Sequence, residues 1–290
     1  MSRARSSHAA RVACAALALI GCATAVAAQT PAAAPRVLVM PLQPAGDDPR
    51  ALWLGQGVAL LVGDALTAVG RPAMSRTDRL AAFDALELPD DRQLSRATLL
   101  RAAEVIGVRE LVTGTVAVDG DNLSVTVRVI DVDAGLVRPE VRERGPLRDV
   151  FALSDRVAAA IAGVPVVETP STSDSPPSLE VFEAFTKGLV AETPATQLRF
   201  LRQAVAAAPQ YGRAHLVIWE VCTDEEQHAC ALAAADAVPA SSRFKRRARF
   251  AAGVSLIRLA RWDDAFATFK ALLDESPSAA VYNNIGVVQA

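Results

Sequence analysis

The sequence predicts an α/β domain with a mixed sheet, followed by an all-α region. Four consecutive apolar residues, Val37–Met40, are typical of a strand that is covered on both faces. Apolar and polar residues alternate strictly over 111–118 and 123–129, which predicts an antiparallel hairpin covered on one face only. Beyond residue 178 the apolar residues follow a helical period, so this part is predicted to be entirely helical.

The composition favours close-packed helices and argues against nucleic-acid binding. Hydrophobic residues make up 51% of the 290-residue chain, and alanine accounts for much of this fraction. The formal net charge is −2. Removal of an N-terminal leader carrying three arginines would leave 27 basic residues against 32 acidic ones. A mildly acidic protein of this kind is not a general nucleic-acid binder.

The first 28 residues have the pattern of an export signal. Arg3, Arg5 and Arg11 form its positively charged start. The apolar run that follows, Val12–Ile20, is well short of the roughly 18–20 residues that a transmembrane helix needs. We therefore expect a signal peptide over 1–28 and a mature protein that works outside the cytoplasm.

Two processing sites compete at the end of this signal. Leu19–Cys22 resembles a bacterial lipobox, after which Cys22 would become the lipidated N-terminus. Ala25–Ala28 resembles an ordinary signal-peptidase site and would discard Cys22. The first alternative predicts a lipoprotein anchored to the outer membrane, and the second predicts a soluble periplasmic protein.

An Ala/Pro tether at 29–35 precedes the predicted α/β domain, which covers 36–163. The hairpin turn is Asp119-Gly120-Asp121, because glycine accepts the positive φ that tight turns require. The other predicted elements are strands at 36–42 and 73–75 and helices at 51–69, 77–86, 95–106 and 147–162.

A Pro/Ser/Thr-rich segment, 164–178, predicts a linker to helical repeats that cover 179–290. Helix pairs are expected at 179–209 and 210–239, and a third pair follows them. Residues 281–290 begin a fourth repeat that the sequence does not complete. Because a solenoid unit buries its apolar face only against a neighbour or a cap, we expect a longer protein.

The third helix pair resembles a tetratricopeptide repeat (TPR), a helix–turn–helix unit of about 34 residues. Its first helix carries Gly253 where it crosses the second helix, opposite Ala265, and Phe269 fills the space below them. Trp262 is expected to wedge the turn, and Pro277 ends the second helix because proline cannot continue it. The resemblance implies a surface that binds a protein or peptide.

Residues 37–161 resemble the amino-terminal domain of TolB and the related FlgO-like and CsgG-like envelope domains. The resemblance implies no catalytic residue and no cofactor. It rests on the strand Val37–Pro41, the first turns of a helix at Trp53–Gly57, Ser75-Arg76, Val105–Val108 leading into Gly114-Thr115, Ile130-Asp131 and the helix start Asp149–Asp155.

The concave face of a TPR solenoid supplies the candidate binding residues. Arginine and exposed aromatic residues are favoured at binding hot spots, and asparagine can hydrogen-bond the backbone of an extended peptide. The alternative is that the apolar members of this set pack between helices and that the arginines only solubilise the surface. The candidates are Arg213, Leu216, Glu220, Arg247, Phe250, Val254, Arg258 and Asn283.

Cys222 and Cys230 lie in the helical region, where an oxidising periplasm permits a disulfide between them. If the first ends one helix and the second lies in the next, the turn would bring them together. The alternative is two small buried side chains without a bond. His228 lies between the two cysteines, but this spacing is not that of a zinc site, and no metal is expected.

Other motifs are better explained by structure than by chemistry. Gly55-Gln56-Gly57 is a fragment of a phosphate-binding pattern inside a helical run, so close helix packing explains it better. Asp47 and Asp48 follow the first strand, where ligands often bind, yet solvated carboxylates are the simpler interpretation. Asp131 and Asp133 beside Gly135 are expected to cap a turn.

The leading hypothesis is a non-enzymatic envelope scaffold that binds a partner protein or peptide through its TPR groove. The alternative is a periplasmic sensory module whose α/β domain binds a small ligand and signals through the repeats. An enzyme would need an active site outside this sequence.

Overall fold

The structure, a computed structural model, describes residues 36–89, 94–166 and 176–289, which belong to one compact unit. The predicted signal peptide, Cys22, the tether and most of the predicted linker lie outside the described residues. The strands are β1 (Val37–Val39), β2 (Gln43–Pro44), β3 (Glu110–Asp119), β4 (Asn122–Asp131) and β5 (Val141–Pro146). The helices beside them are α1 (Arg50–Ala68), α2 (Arg76–Ala85), α3 (Arg96–Ile106) and α4 (Val150–Ala162), the last preceded by a 3-10 turn at Leu147–Asp149.

Seven further helices follow and form what we call the helical region. Each packs against the next in the chain. They are α5 (Leu179–Val190), α6 (Pro194–Ala207), α7 (Gly212–Asp224), α8 (His228–Asp236), α9 (Lys245–Arg258), α10 (Trp262–Glu275) and α11 (Ala279–Gln289). The prediction of a mixed α/β fold followed by helices is therefore confirmed at this level, while the assignment of the helices to TPRs stays a prediction.

The sheet has the strand order β1-β3-β4-β5, and β2 also pairs with β3. β1 and β2 run parallel to β3, whereas β4 and β5 are antiparallel to their neighbours. The predicted hairpin is β3–β4, and its turn contains Gly120 with a φ of 57°. In place of the predicted strand at 73–75, the structure has one isolated β-bridge between Val37 and Ala73.

Strand β5 was not predicted, because its sequence lacks an apolar alternation. It is an edge strand that carries charges at Arg142, Glu143 and Arg144. Glu143 is held by Arg156 of α4, whose Nε lies 2.9 Å from Oε2. Charged edge strands of this kind discourage pairing with another chain, and they leave no hydrophobic pattern to recognise.

The two faces of the sheet are covered differently. α1 and α4 pack on the face that carries Val112, Val116 and Val125, all fully buried. On the other face, α2 and α3 cover only the end of the hairpin near Leu111 and Ile130. The hairpin was predicted to be covered on one face only. This prediction is wrong for the end near Leu111 and Ile130, and it is right for the half nearer the turn.

Helix α1 is the central helix of the molecule. It is long and apolar enough to pass for a membrane span, but 56% of that apolar stretch is buried inside the protein. Two of its glycines permit close contacts: a Cβ on Gly55 would lie 2.1 Å from the Leu42 carbonyl oxygen, and one on Gly57 would lie 3.0 Å from the Phe182 ring. Gly55-Gln56-Gly57 is thus a packing motif.

Phe182 of α5 joins the helical region to the sheet. Its ring is fully buried and stands edge-on to Trp53, with centroids 6.3 Å apart, and 5.1 Å from the ring of Phe151. On its other side lies Phe185, which in turn contacts Tyr211 at the start of α7. One continuous hydrophobic core therefore extends from the sheet into α8.

The predicted helix crossing in the third pair is present. A Cβ on Gly253 would lie 2.6–2.9 Å from three atoms of the Phe269 ring, and both Phe269 and Ala265 are fully buried. Trp262, by contrast, remains 47% exposed at the start of α10. It does not wedge the turn as predicted, because much of the indole lies in solvent.

We expect the substitution Gly253→Ala to destabilise the protein by about 1–3 kcal/mol, because the added methyl group overpacks against Phe269. Gly286→Ala is the matched control: it lies in α11, and a Cβ there would have nothing within 4 Å. Alanine is the better helix former, so this variant should gain up to about 1 kcal/mol. Urea unfolding of both variants measures the difference, and equal effects would refute the crossing.

Candidate functional site

The eight candidate residues fall into two groups. Arg213, Leu216 and Glu220 belong to α7, which faces α1 and α2 of the sheet region. The second group belongs to the last three helices and keeps side chains at least partly exposed. Its members are Arg247, Phe250, Val254 and Arg258 of α9 and Asn283 of α11.

Arg213 and Leu216 are not open groove residues, and their predicted exposure was wrong. Arg213 forms an ion pair with Asp64 of α1 and lies 5.2 Å over the ring of Phe244, so only 14% of its side chain is exposed. Leu216 is 3% exposed and packs with Ala248 and other small residues. The reason is tertiary: α7 packs on α6, α8 and α9, and Asp64 of α1 lies beside Arg213.

Glu220 connects the helical region to α2. Its Oε1 accepts a hydrogen bond from Arg247, at 2.7 Å, and lies 3.5 Å from the hydroxyl of Thr77. Burial raises the pKa of Glu220 because the charged form loses its water, while the positive charge of Arg247 partly opposes this effect. Glu220 therefore holds an ion pair between helices and is not available as a free groove carboxylate.

The remaining residues of α9 form a surface that we call the α9 ridge: Arg247, Phe250, Val254 and Arg258. The two arginines are exposed, and the two apolar side chains between them are partly buried. Phe250 packs edge-on against Phe269, with ring centroids 5.5 Å apart. Phe250 and Val254 therefore pack between helices, as the alternative interpretation of the sequence expected. Each also keeps some exposed surface.

A cavity of about 440 Å³ lies beside the α9 ridge, between α9, α10 and α11. Arg246 and Arg247 stand at this cavity with Phe250, and Val281 and Leu272 form apolar walls. Arg246 donates to the carbonyl oxygen of Ser276, at 2.7 Å. This part of the helical region thus combines guanidinium groups, an aromatic wall and an accessible concavity.

Asn283 lies on α11, the last of these helices, and its side chain is exposed. The neighbouring Tyr282 is also exposed, at 57% of its surface. The sequence prediction that Asn283 is open to solvent is therefore consistent with its position, while its role in binding stays a prediction.

Cys222 and Cys230 meet as the first alternative predicted. Their sulfur atoms are bonded, and their Cα atoms lie 5.9 Å apart, within the range of protein disulfides. Cys222 belongs to the last turn of α7 and Cys230 to the first turn of α8. The bond ties the two helices of one hairpin together close to Glu220 in the chain.

The remaining motifs have structural roles in this fold. The Nε2 atom of His215 lies 2.8 Å from the carbonyl oxygen of Pro209. Arg50 donates hydrogen bonds to the carboxylate of Asp48, and these bonds lower the pKa of Asp48. Asp131 accepts a hydrogen bond from the amide of Ala134, which confirms the predicted turn cap. Among the described residues, no group of three His, Cys, Asp or Glu side chains could hold a metal ion.

No protein family matches the chain, and no curated protein does so either. Three solved structures are each similar to less than half of the chain. TolB from Acinetobacter baumannii is 19% identical with a TM-score of 0.32 over 44% of this chain and 27% of that chain. The LpoB C-terminal domain from Escherichia coli is 12% identical with a TM-score of 0.32, covering 39% of this chain and 82% of that one.

A third similar structure is lipoprotein GNA1162 from Neisseria meningitidis, 16% identical with a TM-score of 0.33. The match covers 44% of this chain and 96% of that chain. The chain spans about a quarter of the length of the TolB structure.

We expect loss of the Cys222–Cys230 bond to lower the free energy of unfolding by about 2–3 kcal/mol, as loop-closure entropy predicts for so short a loop. The measurement is urea unfolding of the wild type with and without reductant. The variant Cys222→Ala/Cys230→Ala is the control, because reductant should not change it. Two free thiols in the unreduced wild type would contradict the prediction.

We expect Glu220 to make the protein less stable as the pH rises. Because its pKa is raised in the folded state, the folded chain keeps a proton that the unfolded chain has already lost. The free energy of unfolding therefore falls as pH rises from the ordinary carboxyl pKa through the raised one.

The variant Glu220→Gln should show a smaller fall over this window than the wild type. Urea midpoints measured between about pH 4 and pH 8 test this. Asp236→Asn, at an exposed position of α8, is the matched control and should behave as the wild type does. Identical pH profiles for Glu220→Gln and the wild type would refute the assignment.

Proposed function

We propose that this chain is a non-enzymatic, exported protein that binds a segment of a partner protein along the α9 ridge and its adjacent cavity. The observation that carries the proposal is the combination of exposed Arg247 and Arg258 with a partly exposed Phe250 beside a cavity of about 440 Å³. Arginine and aromatic side chains dominate the energetics of protein interfaces when they stand at such concavities.

The helical hairpins support the proposal as a binding scaffold. The close crossing of α9 and α10 at Gly253 and Phe269 fixes the ridge on two packed helices and not on a loop. Sites on packed helices hold their side chains in place, which lowers the entropy lost on binding. The resemblance of this hairpin to a TPR agrees with such a role, and we propose that the hairpins of the helical region are TPRs.

The proposed surface is smaller than the groove expected from the sequence. Arg213 and Glu220 are engaged by α1 and α2, so the site is limited to α9, α10 and α11. Asn283 belongs to this part, where its amide is exposed and able to bond the backbone of a bound segment. The cellular setting is part of the proposal: the export signal directs the site to the periplasm, with Cys22 as the anchor if it is lipidated.

The test is crosslinking and purification of the full-length tagged protein from its native envelope. The variant Arg247→Ala/Arg258→Ala/Asn283→Ala removes three exposed side chains of the site and should lower recovery of the partner at least about tenfold, as expected for hot-spot residues. Phe250 is left intact in this variant because it packs on Phe269.

The matched control is Arg101→Ala/Arg202→Ala/Gln203→Ala, which removes two exposed arginines and one exposed amide from α3 and α6. It should retain the partner at the wild-type level. If both variants recover the same proteins in the same amounts while remaining folded, the α9 ridge is not the binding surface.

A further inference from the structure

The half of the second sheet face that lies beyond α2 and α3 carries polar side chains at the edge of a cavity of about 300 Å³. Thr115 and Thr126 are direct partners across β3 and β4, and Thr113 is opposite Arg128. Alternate residues of a strand share a face, so the four side chains form a two-by-two patch. We call this cavity, with its patch, the threonine cavity.

The threonine hydroxyls are available at the cavity. All three threonines are partly buried, and within the part of the chain that the structure describes none of their hydroxyls bonds to another side chain or to the backbone. A hydroxyl group can both donate and accept hydrogen bonds. Three of them converging on one cavity therefore point to a ligand that both donates and accepts hydrogen bonds.

The charge of the cavity is positive. Arg128 holds Glu140 with its Nε 2.8 Å from Oε2, and Arg142 holds the same carboxylate. The hydrogen bonds and positive charges of these two arginines lower the pKa of Glu140, so its carboxylate stays charged. One carboxylate is thus shared by two guanidinium groups, and Arg96, the first residue of α3, adds a further positive charge at the cavity. The site therefore has an excess of positive charge, which a ligand with one negative charge would neutralise.

The walls of the cavity are apolar on the side of β1 and α3. Met40 and Leu99 belong to the core under α3 and also line the cavity, and Pro41 continues the same wall. A sugar ring presents C–H groups on one face and hydroxyls around its rim, so it can place the C–H face on this wall and the hydroxyls toward the threonines. The volume is at the lower end of the range for small-molecule sites, which suits one ring and not a large cofactor.

We propose that the threonine cavity binds a sugar acid, that is, a single sugar ring bearing one carboxylate. The hydroxyls of Thr113, Thr115 and Thr126 contact the sugar hydroxyls, and Arg96 contacts the carboxylate. This site lies on the sheet and goes beyond partner binding by the α9 ridge, so either site can fail without the other. It also gives a location to the ligand-binding alternative raised by the sequence.

The experiment is a titration of the full chain with sodium galacturonate, followed by backbone NMR. The amides of Gly114 and the three threonines should shift in a saturable manner, with a Kd in the millimolar range expected for one small polar ligand. Galactose, which lacks the carboxylate, and cyclohexanecarboxylate, which lacks the hydroxyls, should each bind at least about tenfold more weakly. Equal shifts with all three compounds, or shifts that do not saturate, would overturn the proposal.

The variant Thr113→Val/Thr115→Val replaces two hydroxyls by methyl groups at nearly constant shape and keeps β-branched residues in the strand. It should raise the Kd for galacturonate at least about tenfold, because two of the three hydroxyl contacts are lost. Thr268→Val on α10 is the matched control and should leave the Kd unchanged. If the double variant does not fold, the single variant Thr126→Val gives the same test with one hydroxyl removed, and an unchanged Kd in it overturns the proposal.

The variant Arg96→Gln distinguishes the contribution of the ligand's carboxylate from that of its hydroxyls. It should weaken binding of galacturonate and leave that of galactose as it was, because only the carboxylate loses a partner. Tetragalacturonate distinguishes a free sugar acid from the same unit within a polysaccharide. Binding of either form supports the site, and the tighter one identifies the source. If neither binds, the assignment is wrong.

Discussion

The burial of Phe182 between α1, α4 and α5 is the interaction on which the rest of the structure depends. Complete burial of such a ring stabilises a protein by about 1.5–3 kcal/mol, and each well-oriented aromatic neighbour adds about 0.5–1.5 kcal/mol. Gly57 makes room for the ring, since a Cβ there would lie 3.0 Å from it. Through Phe185 and Tyr211 the same contacts continue to α7, so the sheet and the first helical hairpins share one core.

This shared core decides which surfaces remain available. α5 packs on α1 and α6 packs on α7, and the charged residues of α7 have partners on the elements around it. Asp64 is close to both Arg213 and Arg243, and Glu220 faces Thr77. In the last three helices Arg246, Arg247 and Arg258 keep exposed side chains, although Arg247 also pairs with Glu220. The two proposed sites therefore occupy the parts of the molecule that the core leaves uncovered: the far half of the sheet and the end of the helical region.

Local patterns predicted the elements well and the surfaces poorly. The hairpin and its turn follow from alternation and a single glycine, and the α9–α10 crossing follows from the spacing of Gly253, Ala265 and Phe269. Strand β5 has no such pattern, because its pairing with β4 comes from the backbone and its side chains are charged. The burial of Leu216 depends on α8 and α9 packing on α7, which the helical period of α7 alone cannot reveal. The threonines were visible as the polar side of the hairpin, but no local pattern indicates the cavity that α3 forms beside them.

The fit of Phe182 against Gly57 also constrains how this protein can change during evolution. A gene rearrangement that joined this sheet to another set of helices would bring a new residue to the place of Phe182, and a larger residue at 57 would crowd the old one. Changes at these two positions are therefore coupled. By contrast, α10 and α11 bury their apolar residues in a separate cluster, so changes in these two helices leave the contact of Phe182 with Gly57 intact.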